Sequence, residues 1–157
     1  MHTCEFNIRN DEIIFDAADA MKVGADCFVV ESMTTNKLGV DWLKRHLAPK
    51  GVRVHAIHVL YDLFSTHLDC TFVPIRSDLV LVNPERPVEK ETEILFKRNG
   101  WKFLTAPMPS IPHELMPEHC QSSSWLSMNV LSLSEKCIAV ASTEKLFSEL
   151  RLRRKMQ

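Results

Sequence analysis

The chain lacks a charge excess of either sign: 19 lysines and arginines balance 20 aspartates and glutamates over 157 residues, a net charge of −1. Such a surface has no electrostatic footprint for nucleic acid or an anionic membrane, so no nucleic-acid partner is expected. Long apolar runs are missing too. Stretches such as Cys27-Phe28-Val29-Val30 and Leu79-Val80-Leu81-Val82 fall far short of the ~20 residues that cross a bilayer, so no transmembrane segment is expected. There is no CxxC spacing. The five cysteines, Cys4, Cys27, Cys70, Cys120 and Cys137, are odd in number and partly set in strand-like runs, which predicts reduced thiols rather than a disulfide framework. His113, His119 and Cys120 match no zinc template, and no second ligand cluster accompanies them, so neither a metal nor a cofactor is expected. Met1 to Phe6 carries neither a signal peptide nor an Arg/Ser-rich transit segment, and the sequence by itself points to the cytoplasm.

What is present is an ordinary globular composition, 45% apolar and 25% charged, arranged as a repeat. Leu38, Trp42, Leu43 and Leu47 mark a helical face closed by Pro49 and Gly51. Val52 to Val59 then predicts a strand. Leu68 to Ile75, a turn at Arg76-Ser77, and Leu79 to Val82 predict a β-hairpin. The order recurs with a helix over Glu89 to Asn99 stopped by Gly100, a strand over Trp101 to Thr105, a proline-rich loop from Ala106 to Gln121, and a hairpin of Leu126 to Leu133 with Lys136 to Ala141. A third helix starts at Thr143 and runs to Leu152, with Leu146, Phe147 and Leu150 on one face. The expectation is a single incomplete α/β domain over 1–157. Its repeat units are about 37–87 and 88–142, with an unfinished third over 143–157. A strand over Glu12 to Phe15 with no helix before it, and a helix with no strands after it, make the chain look cut at both ends.

Several residues could carry chemistry. His67 and Asp69, two apart in a strand, would share one face at the mouth of the first hairpin, where an imidazole and a carboxylate can move a proton or bind a cation. The plainer reading is a surface histidine beside a turn-capping aspartate. Asp16 and Asp19, separated by two alanines after strand-like Ile13 to Phe15, pair carboxylates that suit a guanidinium. Asp16 would serve equally well as a helix N-cap. Arg86, in Asn83-Pro84-Glu85-Arg86-Pro87, could clamp a carboxylate or simply occupy a turn. Ser122, Ser123 and Ser124 precede the second hairpin as His67 precedes the first, although serine runs are commonly solvated turns.

Taken together, Phe15-Asp16-Ala17-Ala18-Asp19, Leu47-Ala48-Pro49, Thr66-His67-Leu68-Asp69-Cys70-Thr71-Phe72, Asn83-Pro84-Glu85-Arg86-Pro87 and Ser122 through Val130 resemble the glycine amidinotransferase family in order and spacing, from about Asp11 to Phe147. The resemblance implies a partial pentein fold, an α/β propeller of five ββαβ-type blades of which this chain would hold about two. In that family a cysteine thiolate attacks the guanidinium carbon of arginine, ornithine leaves, and the amidino group passes to glycine, giving guanidinoacetate for creatine biosynthesis. Carried over, His67 would be the general acid/base, Asp16 its acidic partner and Asp69 a guanidinium-binding carboxylate. Arg86, Ser122 and Ser123 would hold the amino-acid end of the substrate. The family thiol lies in a His-Cys segment past the point where this sequence stops, and the basic tail Arg151 to Lys155 departs from the family pattern, so turnover by this chain alone is not expected. Two further readings stay open: a non-catalytic arginine-binding or regulatory chain, as a homodimer or paired with a full-length homologue, and an amidinotransferase for another acceptor such as an aminocyclitol. By resemblance the compartment would be mitochondrial if an N-terminal segment precedes this one.

Overall fold

In the computed structural model, residues 9, 11–59, 67–112, 115–116 and 123–144 are described. Ser122, the helix expected from Thr143 to Leu152 beyond Glu144, Cys4, Cys120, His113, His119 and the basic tail lie outside them.

The architecture is mixed α/β, as expected. Strands β1 (Ala20–Val23) and β2 (Asp26–Val30) form an antiparallel hairpin, helix α1 (Lys37–Leu47) crosses over, and β3 (Arg53–Ile57) returns parallel to β2. The second sheet repeats this arrangement with β4 (Phe72–Arg76), β5 (Leu79–Val82), α2 (Lys90–Arg98) and β6 (Lys102–Thr105). A third hairpin, β7 (Leu131–Ser134) with β8 (Cys137–Ala139), follows. By strand pairing, each complete three-stranded sheet therefore reads hairpin, helix, parallel strand.

The uninterrupted apolar runs are strands buried on both faces. In β2, Cys27 and Val29 face α1 through Val40 and Leu43, while Phe28 and Val30 face the second sheet through Phe72, Val80 and Phe96. In β5, Val80 joins that inter-sheet cluster, while Leu79 and Leu81 pack on the other side with Trp125 and Met128.

Helix ends follow local chemistry. Asn36 caps α1, its side chain accepting from the Gly39 N–H at 2.8 Å. At the end of α2, Gly100 takes φ +80°, Trp101 N–H bonds the Phe96 carbonyl and Gly100 N–H that of Lys97, while the Trp101 and Phe96 rings meet edge-on at 5.2 Å. This is a Schellman stop with its usual hydrophobic contact.

Three expected strands change character. Glu12 to Phe15 is not a strand: the Ile14 carbonyl accepts from Asn36 N–H and the Asp16 N–H donates to Thr35 Oγ1, so those backbone groups are spent on the α1 cap. Leu68–Cys70 is a 3₁₀ turn, and the strand starts only at Phe72, because Asn83 Nδ2 takes the Cys70 carbonyl and Thr71 Oγ1 takes that of His67. Ser124–Met128 is likewise 3₁₀, capped by Ser123. The reversal between β4 and β5 falls at Ser77-Asp78, one residue later than expected.

Candidate active site

Three segments converge at the end of the first sheet where β2 finishes: Asp16 to Asp19 with Ser32 to Thr35, His67 to Thr71 with Asn83 to Arg86, and Ser123 to Asn129. Asp19 is wholly buried. An isolated carboxylate there would cost several kcal/mol to desolvate, so its partners decide whether it can stay charged. Its Oδ2 accepts from three hydroxyls, Ser32 Oγ at 2.6 Å, Thr35 Oγ1 at 2.7 Å and Thr34 Oγ1 at 3.0 Å. Its Oδ1 lies 3.0 Å from His67 Nδ1. At about 1.5–3 kcal/mol for each hydrogen bond to a charged group, four such bonds outweigh the penalty. An ionised Asp19 only accepts, so the proton on His67 sits at Nδ1, and Nε2 is left as the ring atom able to exchange one. His67 itself is half-buried, its ring a third exposed.

The partner of His67 is thus Asp19 rather than Asp16. Asp16 Oδ1 accepts from the Ala18 N–H at 2.9 Å and caps the 3₁₀ turn Ala17–Asp19, the plainer of the two roles open to it. That cap delivers Asp19 inward. The Ser32 to Thr35 loop is fixed in turn by a Ser32 N–H to Thr35 carbonyl bond of 2.9 Å and by Thr35 Oγ1, which accepts from Asp16 N–H at 2.9 Å while donating to Asp19.

Asp69 does not share a strand face with His67, because both belong to the 3₁₀ turn, with His67 as its N-cap. Asp69 Oδ2 accepts from Asn129 Nδ2 at 3.1 Å, and its buried Oδ1 has no N–H or O–H partner among the described residues. The adjacent Cys70 thiol is buried and pushed far above the ordinary thiol range, first by desolvation and then by the Asp69 charge, with Arg86 opposing. Arg86 is buried. Its turn is braced by Asn83, whose Oδ1 accepts from Glu85 N–H at 2.9 Å, and by Trp125 Nε1, which donates to Glu85 Oε2 at 2.8 Å. Ser123 is buried and caps the Ser124–Met128 turn through Oγ, so its hydroxyl proton is still available to donate.

His67 and Asp19, 48 residues apart, and Asp69 and Asn129, 60 apart, are therefore gathered at one rim. Ser32, Thr34, Thr35 and Asn129 are participants that sequence reasoning missed. The only cue was a run of hydroxyl residues before a helix cap.

The chain is similar to known proteins in sequence and in fold. The chain is 46% identical over 145 residues to mitochondrial glycine amidinotransferase of Xenopus tropicalis, covering 88% of this chain and 32% of that protein. It is 39% identical over 137 residues to L-arginine:L-lysine amidinotransferase of Pseudomonas savastanoi pv. phaseolicola, covering 85% and 34% respectively. By sequence, the chain is a relative of the amidinotransferases. It spans about a third of the length of these curated relatives. Among solved structures, inosamine-phosphate amidinotransferase of Streptomyces griseus superposes with a TM-score of 0.76 at 29% identity, covering 90% of this chain and 39% of that one. A saxitoxin-pathway amidinotransferase of Microseira wollei gives a TM-score of 0.71 at 33% identity, covering 88% and 39%. The Pseudomonas aeruginosa dimethylarginine dimethylaminohydrolase (DDAH) shares the fold at a TM-score of 0.58 and 19% identity, covering 85% and 43%, which places this relative in the wider pentein fold group. No family model matches the chain.

Proposed function

We propose that this amidinotransferase relative supplies the acid–base and guanidinium-binding half of a site that moves an amidino group from arginine to glycine. The observation that carries this is the buried Asp19 carboxylate, held by three hydroxyls and pinning His67 through Nδ1. In the first half-reaction a thiolate adds to the guanidinium carbon, His67 Nε2–H protonates the departing nitrogen, and ornithine leaves. In the second, glycine attacks the thio-bound amidino carbon as its free amine, neutral His67 takes the proton which that nitrogen sheds, and the thiolate departs. Asp69, whose Oδ1 has no N–H or O–H partner among the described residues, holds the guanidinium. Arg86 with Ser123, and Ser122 beside it in sequence, receive the amino-acid end.

Cys27 and Cys70 do not suit the thiolate role, since burial raises both thiols. Cys137 lies exposed on β8, in a hairpin separate from the His67 turn. Among the described cysteines none suits the thiolate role, and we expect the chain to bind arginine without turning it over. Calorimetry on the full chain should show arginine binding that Asp69→Asn weakens at least tenfold, about 1.4 kcal/mol. Absence of heat with arginine, or guanidinoacetate formed by the chain alone and abolished by His67→Gln, would overturn the reading. The vertebrate relatives are named as mitochondrial proteins, which favours that compartment over the cytoplasm. Immunodetection in mitochondrial and cytosolic fractions decides between them.

A further inference from the structure

At the opposite end of the first sheet, roughly 10 Å along β2 from the Asp19 rim, that sheet and the end of α2 enclose a cavity of about 340 Å³. Register explains its two-toned lining. In the parallel pair β2–β3, Asp26 faces Arg53 and Phe28 faces His55, and alternate residues share a face, so this face passes from charged at its edge to apolar inside, ending at Val30 and Ile57. The far wall is the Schellman stop of α2, which contributes Leu95, Phe96 and Trp101.

We propose that this cavity binds a small aromatic carboxylate, its ring against the aromatic wall and its anion on the outer edge of Arg53. Arg53 spends Nε–H and one Nη2–H on Asp26 in a bidentate pair, both at 2.7 Å, and His55 Nε2 reaches the same carboxylate at 2.7 Å. A guanidinium carries five N–H donors in a fixed fork, so three remain, directed away from Asp26 on a side chain that is 69% exposed. That open edge matches a second carboxylate two bonds at a time.

Charge decides between an anion and a cation. Asp26, the one carboxylate in the lining, is already answered by Arg53 and His55. The negative end of the α2 dipole is blunted because the Leu95, Phe96 and Lys97 carbonyls all accept backbone bonds at the stop. Phe28 stacks on His55 at 5.0 Å and meets Phe96 at 4.7 Å, so one more ring extends an existing aromatic stack. Leu95 is 40% exposed at the mouth, and a bound ring would cover it.

The test titrates the full chain with phenylacetate while following the Trp101 indole and Leu95 amide resonances, with phenethylamine as the cationic control. Saturable shifts at both positions with phenylacetate, and none with phenethylamine, are expected. Arg53→Gln should weaken binding roughly tenfold. Leu95→Glu, a surface change that sets a like charge at the mouth and spares the core, should do the same. No saturation by about 20 mM, where a ten-atom ligand of ordinary efficiency would be bound, overturns the proposal. So does an equal response to phenethylamine, or unchanged binding in either variant.

Discussion

Replacing Asp19 by Asn keeps the shape of the buried side chain and exchanges one acceptor oxygen for an NH₂ donor. Three hydroxyls converge on Oδ2, so that corner keeps the oxygen, and the amide nitrogen faces His67 Nδ1. Nδ1 must then accept, and the ring proton moves to Nε2, the wrong atom for accepting a proton from an incoming amine. The energy balance is close. Four bonds to a carboxylate at about 1.5–3 kcal/mol become four neutral bonds at about 0.5–1.5, a loss near 5 kcal/mol. The relief of burying no charge returns several kcal/mol. Unfolding free energy should therefore move by no more than about 2 kcal/mol, while the tautomer inverts. Asp19→Ala, which strips the acceptor from three hydroxyls at once, should cost about 3–5 kcal/mol, as removing one side of a buried charged network does. Long-range nitrogen–proton spectra of the His67 ring read the tautomer, and denaturant unfolding reads the stability. A ring that keeps its proton on Nδ1 in Asp19→Asn, or an Asn variant as unstable as the Ala variant, would refute the placement of the charge on Asp19.

Gly39→Ala should destabilise the chain by about 2 kcal/mol in denaturant unfolding, although alanine is the better helix former, because the new Cβ would overlap the Ile14 carbonyl oxygen and sit 2.7 Å from its carbon. Unchanged stability would show that the 12–16 segment is free to move off α1. Arg53 holds Asp26 down from an ordinary 3.8 to about 2, so the folded pKa is depressed. The stability it contributes is complete above about pH 4 and is lost as pH falls through about 2. Screening at this solvent-facing pair limits the effect to about 1 kcal/mol, and Arg53→Gln should flatten that part of the acid unfolding curve. Native alkylation near pH 8, mapped by mass spectrometry, should modify Cys137 before Cys27 or Cys70, since Cys137 is exposed while burial raises the other two thiols. Early labelling of Cys70 would contradict its burial.

Much of the fold was legible because it rests on local periodicity. The spacing of Leu38, Trp42, Leu43 and Leu47 placed α1 to within a residue, and Gly100 ended α2 where a positive φ was needed. The 3₁₀ turns were not legible. Leu68 to Cys70 has the apolar-polar alternation of a strand, and it leaves the ladder because Asn83, 13 residues from Cys70, takes a carbonyl that a strand would have offered to its neighbour. The β1–β2 hairpin was overlooked because Ile13 to Phe15 offered a more apolar candidate, whose backbone groups prove to belong to Asn36 and Thr35. In the site, sequence located the Asp16–Asp19 pair, and the family resemblance chose Asp16 as the partner of His67 where the structure has Asp19. Both are carboxylates beside alanine, and only the depth of Asp19 against the half-exposed Asp16 separates them.

That depth is itself a product of the inter-sheet core. Val30 ends β2 two residues before Ser32, and Leu68 directly follows His67; both are buried in one cluster with Phe28, Ile57, Phe72 and Val80. Burying Val30 and Leu68 in that one cluster brings the hydroxyl loop and the imidazole to opposite sides of one carboxylate. Neither sheet can form the pair alone, since the first brings Asp19 and its hydroxyls and the second brings His67, Asp69 and Arg86. A carboxylate this deep, with no lysine or arginine among its partners in the described residues, is tolerable only when all its donors are in place. The His67–Asp19 bond therefore forms only when the two sheets dock, and any loosening of the cluster around Val30 and Leu68 should reach the histidine before it reaches either hairpin.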